Sequence, residues 1–161
     1  MQPTKKVLFV CLGNICRSPL AEAIFKKKLE EKGLSKHFLA DSCGTANYHV
    51  GHTPDPRTIA NARKNGVSID HRGRQLHADD LANFDLVLAM DKENLRNIHR
   101  LPNASLYGDK IKLMRSFDTS INGDEVPDPY YGTEKDFQEV FDILESANEK
   151  LLLHFQQTLK L

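Results

Sequence analysis

Apolar positions fall along the chain in two rhythms. Lys5–Cys11 (KKVLFVC) and Asp85–Met90 (DLVLAM) are near-continuous apolar runs, the pattern of strands buried on both faces of a parallel sheet. Phe38–Ser42 and the short Ile111–Met114 are the other two strand candidates. After the first strand, Gly13 and Asn14 mark a turn, and Ser18-Pro19 reads as an N-cap and first helical residue. That helix, with Glu22 in its early turns, is expected to run to about Lys32, with Gly33 as its C-cap. Asp55–Asn65 predicts a helix ending at Gly66, and another begins near Lys92. A long final helix starts at Thr133, with Phe137, Val140, Phe141, Leu144, Leu151, Leu152, Phe155 and Leu159 on one face.

Strands alternating with helices predict an α/β fold. The expected architecture is doubly wound, with a four-stranded parallel sheet and helices on both faces. It is flavodoxin-like or Rossmann-like, with a phosphate loop after the first strand. Such sheets bind ligands at the carboxyl ends of their strands, where Cys11 stands. No repeat, low-complexity tract or linker divides the chain, so residues 1–161 are read as one domain.

Charge narrows the function. Lys+Arg and Asp+Glu both number 22, so no net field draws the protein to nucleic acid or anionic lipid. Any bound anion must be held locally. The first apolar run is too short for a membrane span or a secretory core, which predicts a cytoplasmic protein without membrane insertion. The cysteines number three, an odd count with two of them on one turn. That argues against a disulfide framework and for a reactive thiol. The seven histidines are scattered, and neither HExxH nor CxxC occurs, so no metal and no other cofactor is expected.

The turn itself, CLGNICRSP, points to chemistry. Cys11 and Arg17 frame Leu12, Gly13, Asn14, Ile15 and Cys16 at the entrance to a helix. Free N–H groups and the helix dipole favour an anion there, and a curled loop aims successive N–H groups inward. Gly13 permits close approach, Asn14 tolerates a left-handed conformation, and Arg17 can grip two oxygens. A thiol among these positive ends is expected to ionise readily. The GxxxxGK[ST] order is missing, so this is not a nucleotide loop. A lone cysteine here would read as a small buried strand end. The run Cys-x5-Arg-Ser between strand and helix favours a nucleophile under an anion cradle.

With CLGNICRSP, PDPYYG (127–132), DSCGTANYHVGHTPDPR and LVLAMDKENL in order, the sequence resembles the low-molecular-weight protein tyrosine phosphatases over nearly its whole length. The resemblance implies that Cys11 attacks phosphorus to form a phosphocysteine. Asp128, restricted by Pro127 and Pro129, protonates the departing tyrosine oxygen and then activates water. Arg17 and the N–H groups of Leu12–Arg17 hold the equatorial oxygens. Substrates would be phosphotyrosine-containing proteins, with inorganic phosphate as product and inhibitor, on a monomer or weak homodimer. Ser18 either caps the helix alone or both caps it and stabilises the Cys11 thiolate with its hydroxyl. Asn14 would be tied by Ser42 and His71, which the residues alone would place at a strand end and in a surface loop. Cys16 is either a small buried side chain or the partner of Cys11 in a reversible, regulatory disulfide. Cys43 has no evident role. Leu12 and Ile15 would wall the pocket, with Tyr48, beside His49, and Tyr130 at the rim. Tyr131 is a wall or a phosphorylation site. Asp91 either caps the following helix or orients the site electrostatically.

Three rivals are weaker. Arsenate reduction on this fold needs further cysteines, and only Cys43 lies outside the loop. Relatives that dephosphorylate protein arginine carry threonine at the position of Ile15, whose apolar side chain suits an aryl phosphate. A phosphate carrier or phosphopeptide-binding module has no need of a positioned acid at 128.

Overall fold

The computed structural model describes residues 4–118 and 123–161. Strands β1 (Lys5–Cys11), β2 (Phe38–Gly44), β3 (Leu86–Ala89) and β4 (Ile111–Leu113) form one sheet in the order β2-β1-β3-β4. Every pairing is parallel, and Cys11 stands opposite Gly44 at the carboxyl edge. The helices are α1 (Arg17–Glu31), α2 (Pro56–Lys64), α3 (Ala78–Asn83), α4 (Lys92–His99) and α5 (Glu134–Leu159), with short 3₁₀ turns between some of them. The order reverses beside β1, so the crevice at its carboxyl end is where an open α/β sheet receives a ligand.

Side-chain alternation along the strands separates two cores. Val7, Phe9 and Cys11 of β1 join Leu86 and Leu88 of β3 beneath α1 and α5. Leu8 and Val10 join Val87 and Ala89 against Leu81 of α3 and Ile98 of α4. Phe25 anchors the first core, its ring centroid 5.6 Å from Phe9, 5.6 Å from Phe38 and 6.5 Å from Phe155. On α5 the predicted face is buried from Phe137 to Phe155.

Local chemistry sets the helix ends. After α1, Gly33 at φ 69° donates to Glu30 O and Leu34 to Leu29 O. These two bonds satisfy the last carbonyls around a left-handed residue. The same device closes α2, where Gly66 at φ 83° donates to Arg63 O and Val67 to Ala62 O. Asp55 caps α2 and Asp91 caps α4 through their carboxylates. The Thr133 N–H donates to Asp136 at the start of α5.

One boundary differs from expectation. Helix α1 begins at Arg17, with Cys16 at the cap position and no side-chain cap. Ser18 is therefore not an N-cap. It lies inside the first turn, fully buried, its hydroxyl turned toward Cys11. The six-residue α3 has no counterpart in the apolar pattern. It is started by His77, whose Nδ1 accepts from Asp79 N, and by Asp80, whose carboxylate accepts from His77 N.

Replacing Phe25 by Ala should remove about 3–5 kcal/mol of stability, the usual cost of emptying an aromatic core site. Urea unfolding followed by circular dichroism measures it, and a loss under about 1 kcal/mol would show that the sheet–α1–α5 core does not depend on this ring.

Candidate active site

The loop between β1 and α1 is shaped from outside. Its carbonyls accept from neighbouring segments: Cys11 O from Thr45 N at 2.9 Å, Leu12 O from Ala46 N at 3.0 Å, and Ile15 O from Asp55 N at 2.8 Å. In a trans peptide the N–H points opposite to the C=O. The amides of Leu12, Gly13 and Cys16 therefore face the loop's interior, as an anion cradle requires. Gly44 makes room for this packing. A Cβ there would stand 2.7 Å from Leu12 O.

Asn14 fixes the turn. Its φ is 58°, in the left-handed region, and its side chain is buried. Nδ2 donates to Ser18 Oγ at 2.8 Å and Ser42 Oγ at 3.1 Å, while Oδ1 accepts from Arg74 N at 3.0 Å. Oδ1 also lies 2.7 Å from His71 Nε2, which must donate, because an amide oxygen only accepts. Ser42 donates to Glu22 Oε1 at 2.7 Å, and His71 Nδ1 lies 3.3 Å from the same carboxylate. Ser42 and His71 both contact Asn14, and the His71 side chain is buried rather than on the surface. Glu22, Asp41 and His71 bring ligand-type atoms within 4.8 Å of one another. Lys26 already pairs with Glu22 and Arg74 with Asp41, so these carboxylates have cationic partners.

The Cys11 sulfur lies 3.0 Å from Ser18 Oγ at the floor of the loop. Arg17, 2% exposed, is held by Asp91 Oδ2 at 2.7 Å and Val126 O at 3.0 Å from Nη1. Its Nη2 stands 3.6 Å from Asp128 Oδ2. Burial opposes the guanidinium charge, but the Cys11 sulfur, Asp91 and Asp128 outweigh it and hold Arg17 above its ordinary value. Asp91 caps α4, its Oδ1 accepting from Asn94 N at 2.7 Å, while its Oδ2 accepts from Arg17.

Asp128 reaches the site from the segment before α5. Its Oδ1 accepts from Tyr130 N at 3.1 Å, and its side chain is half-exposed. A cleft of about 290 Å³ brings Cys11, Leu12, Ile15, Cys16 and Arg17 together with Asp128, Tyr48, Tyr130 and Tyr131. Every predicted catalytic and rim residue therefore meets at one opening. His49 also lines it, packed over Gly13. Tyr131 is almost wholly exposed, at 97%.

The other thiols differ in kind. Burial pushes Cys16 up to about 12, with nearby Asp55 adding to the effect. Burial also holds Cys43 well above its usual range. All three cysteines are free. Glu22, Asp55, Arg57, Arg74 and Gly44 belong to the site's support and were not anticipated. Glu22 carried one usable signal, its place four residues after Ser18 on the same face of α1.

Comparison with known proteins gives one consistent result. Residues 6–161 match the family described as low molecular weight phosphotyrosine protein phosphatase. A low molecular weight protein-tyrosine-phosphatase of Streptomyces coelicolor is 42% identical, the match covering 92% of each chain. A protein tyrosine phosphatase from Entamoeba histolytica, crystallised with Hepes in its active site, superposes with a TM-score of 0.91 at 43% identity, covering 98% of this chain and 100% of that one. The Drosophila arginine phosphatase superposes with a TM-score of 0.86 at 33% identity, covering 94% and 98%.

Two outcomes are expected. Because the folded Cys16 value is raised to about 12, its neutral thiol persists through neutral and mildly alkaline pH. Iodoacetamide at neutral pH should leave Cys16 and Cys43 unmodified in the native protein while labelling Cys11, read by peptide mass spectrometry. Labelling of Cys16 at a rate like that of Cys11 contradicts this. Gly44→Ala should push the loop off β2, lowering stability by about 1–3 kcal/mol and kcat/KM by about 10–100-fold, as misplaced groups do. An unchanged rate would show that the loop has slack.

Proposed function

The chain belongs to the low molecular weight phosphotyrosine protein phosphatase family, and from that premise we propose that it hydrolyses protein phosphotyrosine through a phosphocysteine on Cys11. The observation that supports this most is the meeting of Cys11 and Arg17 of one turn with Asp128, more than a hundred positions away, in one aromatic-walled cleft.

The phosphate enters with its oxygens on the inward amides and on Arg17, and its aryl ring lies between Tyr48 and Tyr130. The Cys11 thiolate attacks phosphorus in line, and Ser18 donates to the sulfur. As the bond from phosphorus to the aryl oxygen breaks, Asp128 gives that oxygen its proton. A water then attacks the phosphocysteine and passes a proton to the Asp128 carboxylate. The S–P bond breaks, and thiolate and inorganic phosphate are released. Throughout, the cradle stabilises charge on the equatorial oxygens, with little reorganisation because Arg17 is already fixed. The cycle needs a reduced Cys11, which suits the reducing cytoplasm, and among the described residues no helix is long and apolar enough to cross a membrane.

Phosphoarginine is the second reading, since an arginine phosphatase shares the fold. Ile15, an apolar wall of the cleft, favours an aryl group over a guanidinium. Arsenate reduction is opposed by the burial of Cys43, which is 0% exposed and cannot relay a disulfide outward.

The test is turnover of phosphotyrosine peptides in EDTA. Cys11→Ser should abolish it. Asp128→Ala should lower kcat/KM by about 10²–10⁴-fold, the usual worth of a positioned acid. Normal turnover by Cys11→Ser would refute the covalent route, and faster cleavage of phosphoarginine peptides would refute the substrate assignment.

A further inference from the structure

Asp55 and Arg57 join the two halves of the cleft, and no step above uses either of them. Asp55 belongs to the phosphate-loop side. Its backbone N–H donates to Ile15 O at 2.8 Å, and its carboxylate lies 3.9 Å from Cys16 Sγ. The same carboxylate holds Arg57 by the fork, with Nε 3.1 Å from Oδ1 and Nη2 2.9 Å from Oδ2. Arg57 then reaches the acid segment. Nη2 donates to Tyr130 O at 2.9 Å, and the guanidinium carbon stands 5.4 Å from the Tyr130 ring centroid and 4.7 Å from that of Phe137.

Tyr130 is the joint. Its carbonyl is held by Arg57, and its own N–H donates to Asp128 Oδ1. Its ring, lying against the guanidinium, lines the cleft. A continuous path thus runs from Ile15 through Asp55, Arg57 and Tyr130 to the Asp128 carboxyl. An exposed ion pair contributes little to stability by itself. This guanidinium is held by a carboxylate and a carbonyl, with its carbon over two rings, an arrangement that fixes position. A lysine ammonium supplies one point charge and cannot reproduce it.

We propose that Arg57 is a positioning residue for proton transfer. It sets the Asp128 carboxyl, and with it the Tyr130 wall, at a fixed place over the Cys11–Arg17 loop. The proposal rests on the reading of Asp128 as the general acid. It separates Arg57 from a residue that merely stabilises the start of α2, because a positioned acid matters in proportion to how badly the leaving group needs a proton.

The experiment measures kcat/KM, which reports the step expelling the phenol, for aryl phosphates of graded leaving-group acidity. Arg57→Ala should lose about 10–100-fold on phenyl phosphate and less than about threefold on dinitrophenyl phosphate, in line with the cost of a misplaced catalytic group. Arg57→Lys should fall nearer to Arg57→Ala than to the native enzyme. Asp128→Ala should show the same tilt, and adding Arg57→Ala to it should cost little more, since both changes remove one function. Competitive inhibition by inorganic phosphate should stay within about threefold of native in Arg57→Ala, reporting an intact cradle. An equal loss on every substrate, a full multiplication of the two single losses, or loss of phosphate inhibition would overturn the positioning role. A flat response in Asp128→Ala alone would instead overturn the acid assignment on which the role rests.

Discussion

The site depends on one constraint: a short loop must turn its amides inward while its carbonyls and its one left-handed residue are satisfied from behind. Asn14 meets the harder half of that requirement. A buried asparagine at positive φ costs free energy that a plain turn would not. Here its amide nitrogen donates to two serine hydroxyls, and its oxygen accepts from the Arg74 amide and His71. The four partners come from three segments: α1, the end of β2, and the loop before α3. The cradle is therefore a product of the whole carboxyl edge of the sheet. A peptide of the loop sequence alone would keep Ser18 but lack Ser42, His71 and Arg74.

Charge follows from that shape. Arg17 is buried deeply enough that its guanidinium would be costly without partners, and a single carboxylate would satisfy only one edge. Asp91 and Val126 O take Nη1, leaving Nη2 directed toward Asp128 and the cleft. The half that is bound fixes the half that works. Asp91 is fixed in its turn by capping α4, so the orientation of Arg17 is traceable to a helix start on the opposite face of the sheet. Positioning of this kind is what lets fixed dipoles and charges stabilise developing charge without rearranging.

The sequence made the sheet legible because buried parallel strands are written as uninterrupted apolar runs, and KKVLFVC and DLVLAM admit few other readings. Cys11 and Arg17 stood out because a nucleophile and a cation fall at fixed places around a strand–helix turn, whereas Asp128 was singled out only by the resemblance that PDPYYG carries. What escaped was long-range. Asp55 and Arg57 look like an ordinary helix start, because nothing local says that Arg57 reaches Tyr130, 73 positions away. Ser18 was misread as a cap for the converse reason. A serine before a proline at a helix entrance fits capping, and only the structure shows that the helix starts one residue earlier, leaving the hydroxyl the contact with Cys11 that the resemblance allowed. The six residues of α3 are too few to display a helical period.

The two halves of the site differ in rigidity, and the proposed chemistry asks for that difference. The nucleophile, cradle and Arg17 are buried and held from several sides, as befits groups that meet the same phosphorus in both steps. Asp128 has a half-exposed side chain on a short segment bounded by prolines, tethered through Tyr130. Its partner changes during the cycle, from an aryl oxygen to a water that replaces it. A carboxyl locked as tightly as Asp91 could serve the first and miss the second. The Tyr130 N–H holds only Oδ1, which leaves Oδ2, 3.6 Å from Arg17 Nη2, as the oxygen placed over the loop to serve both.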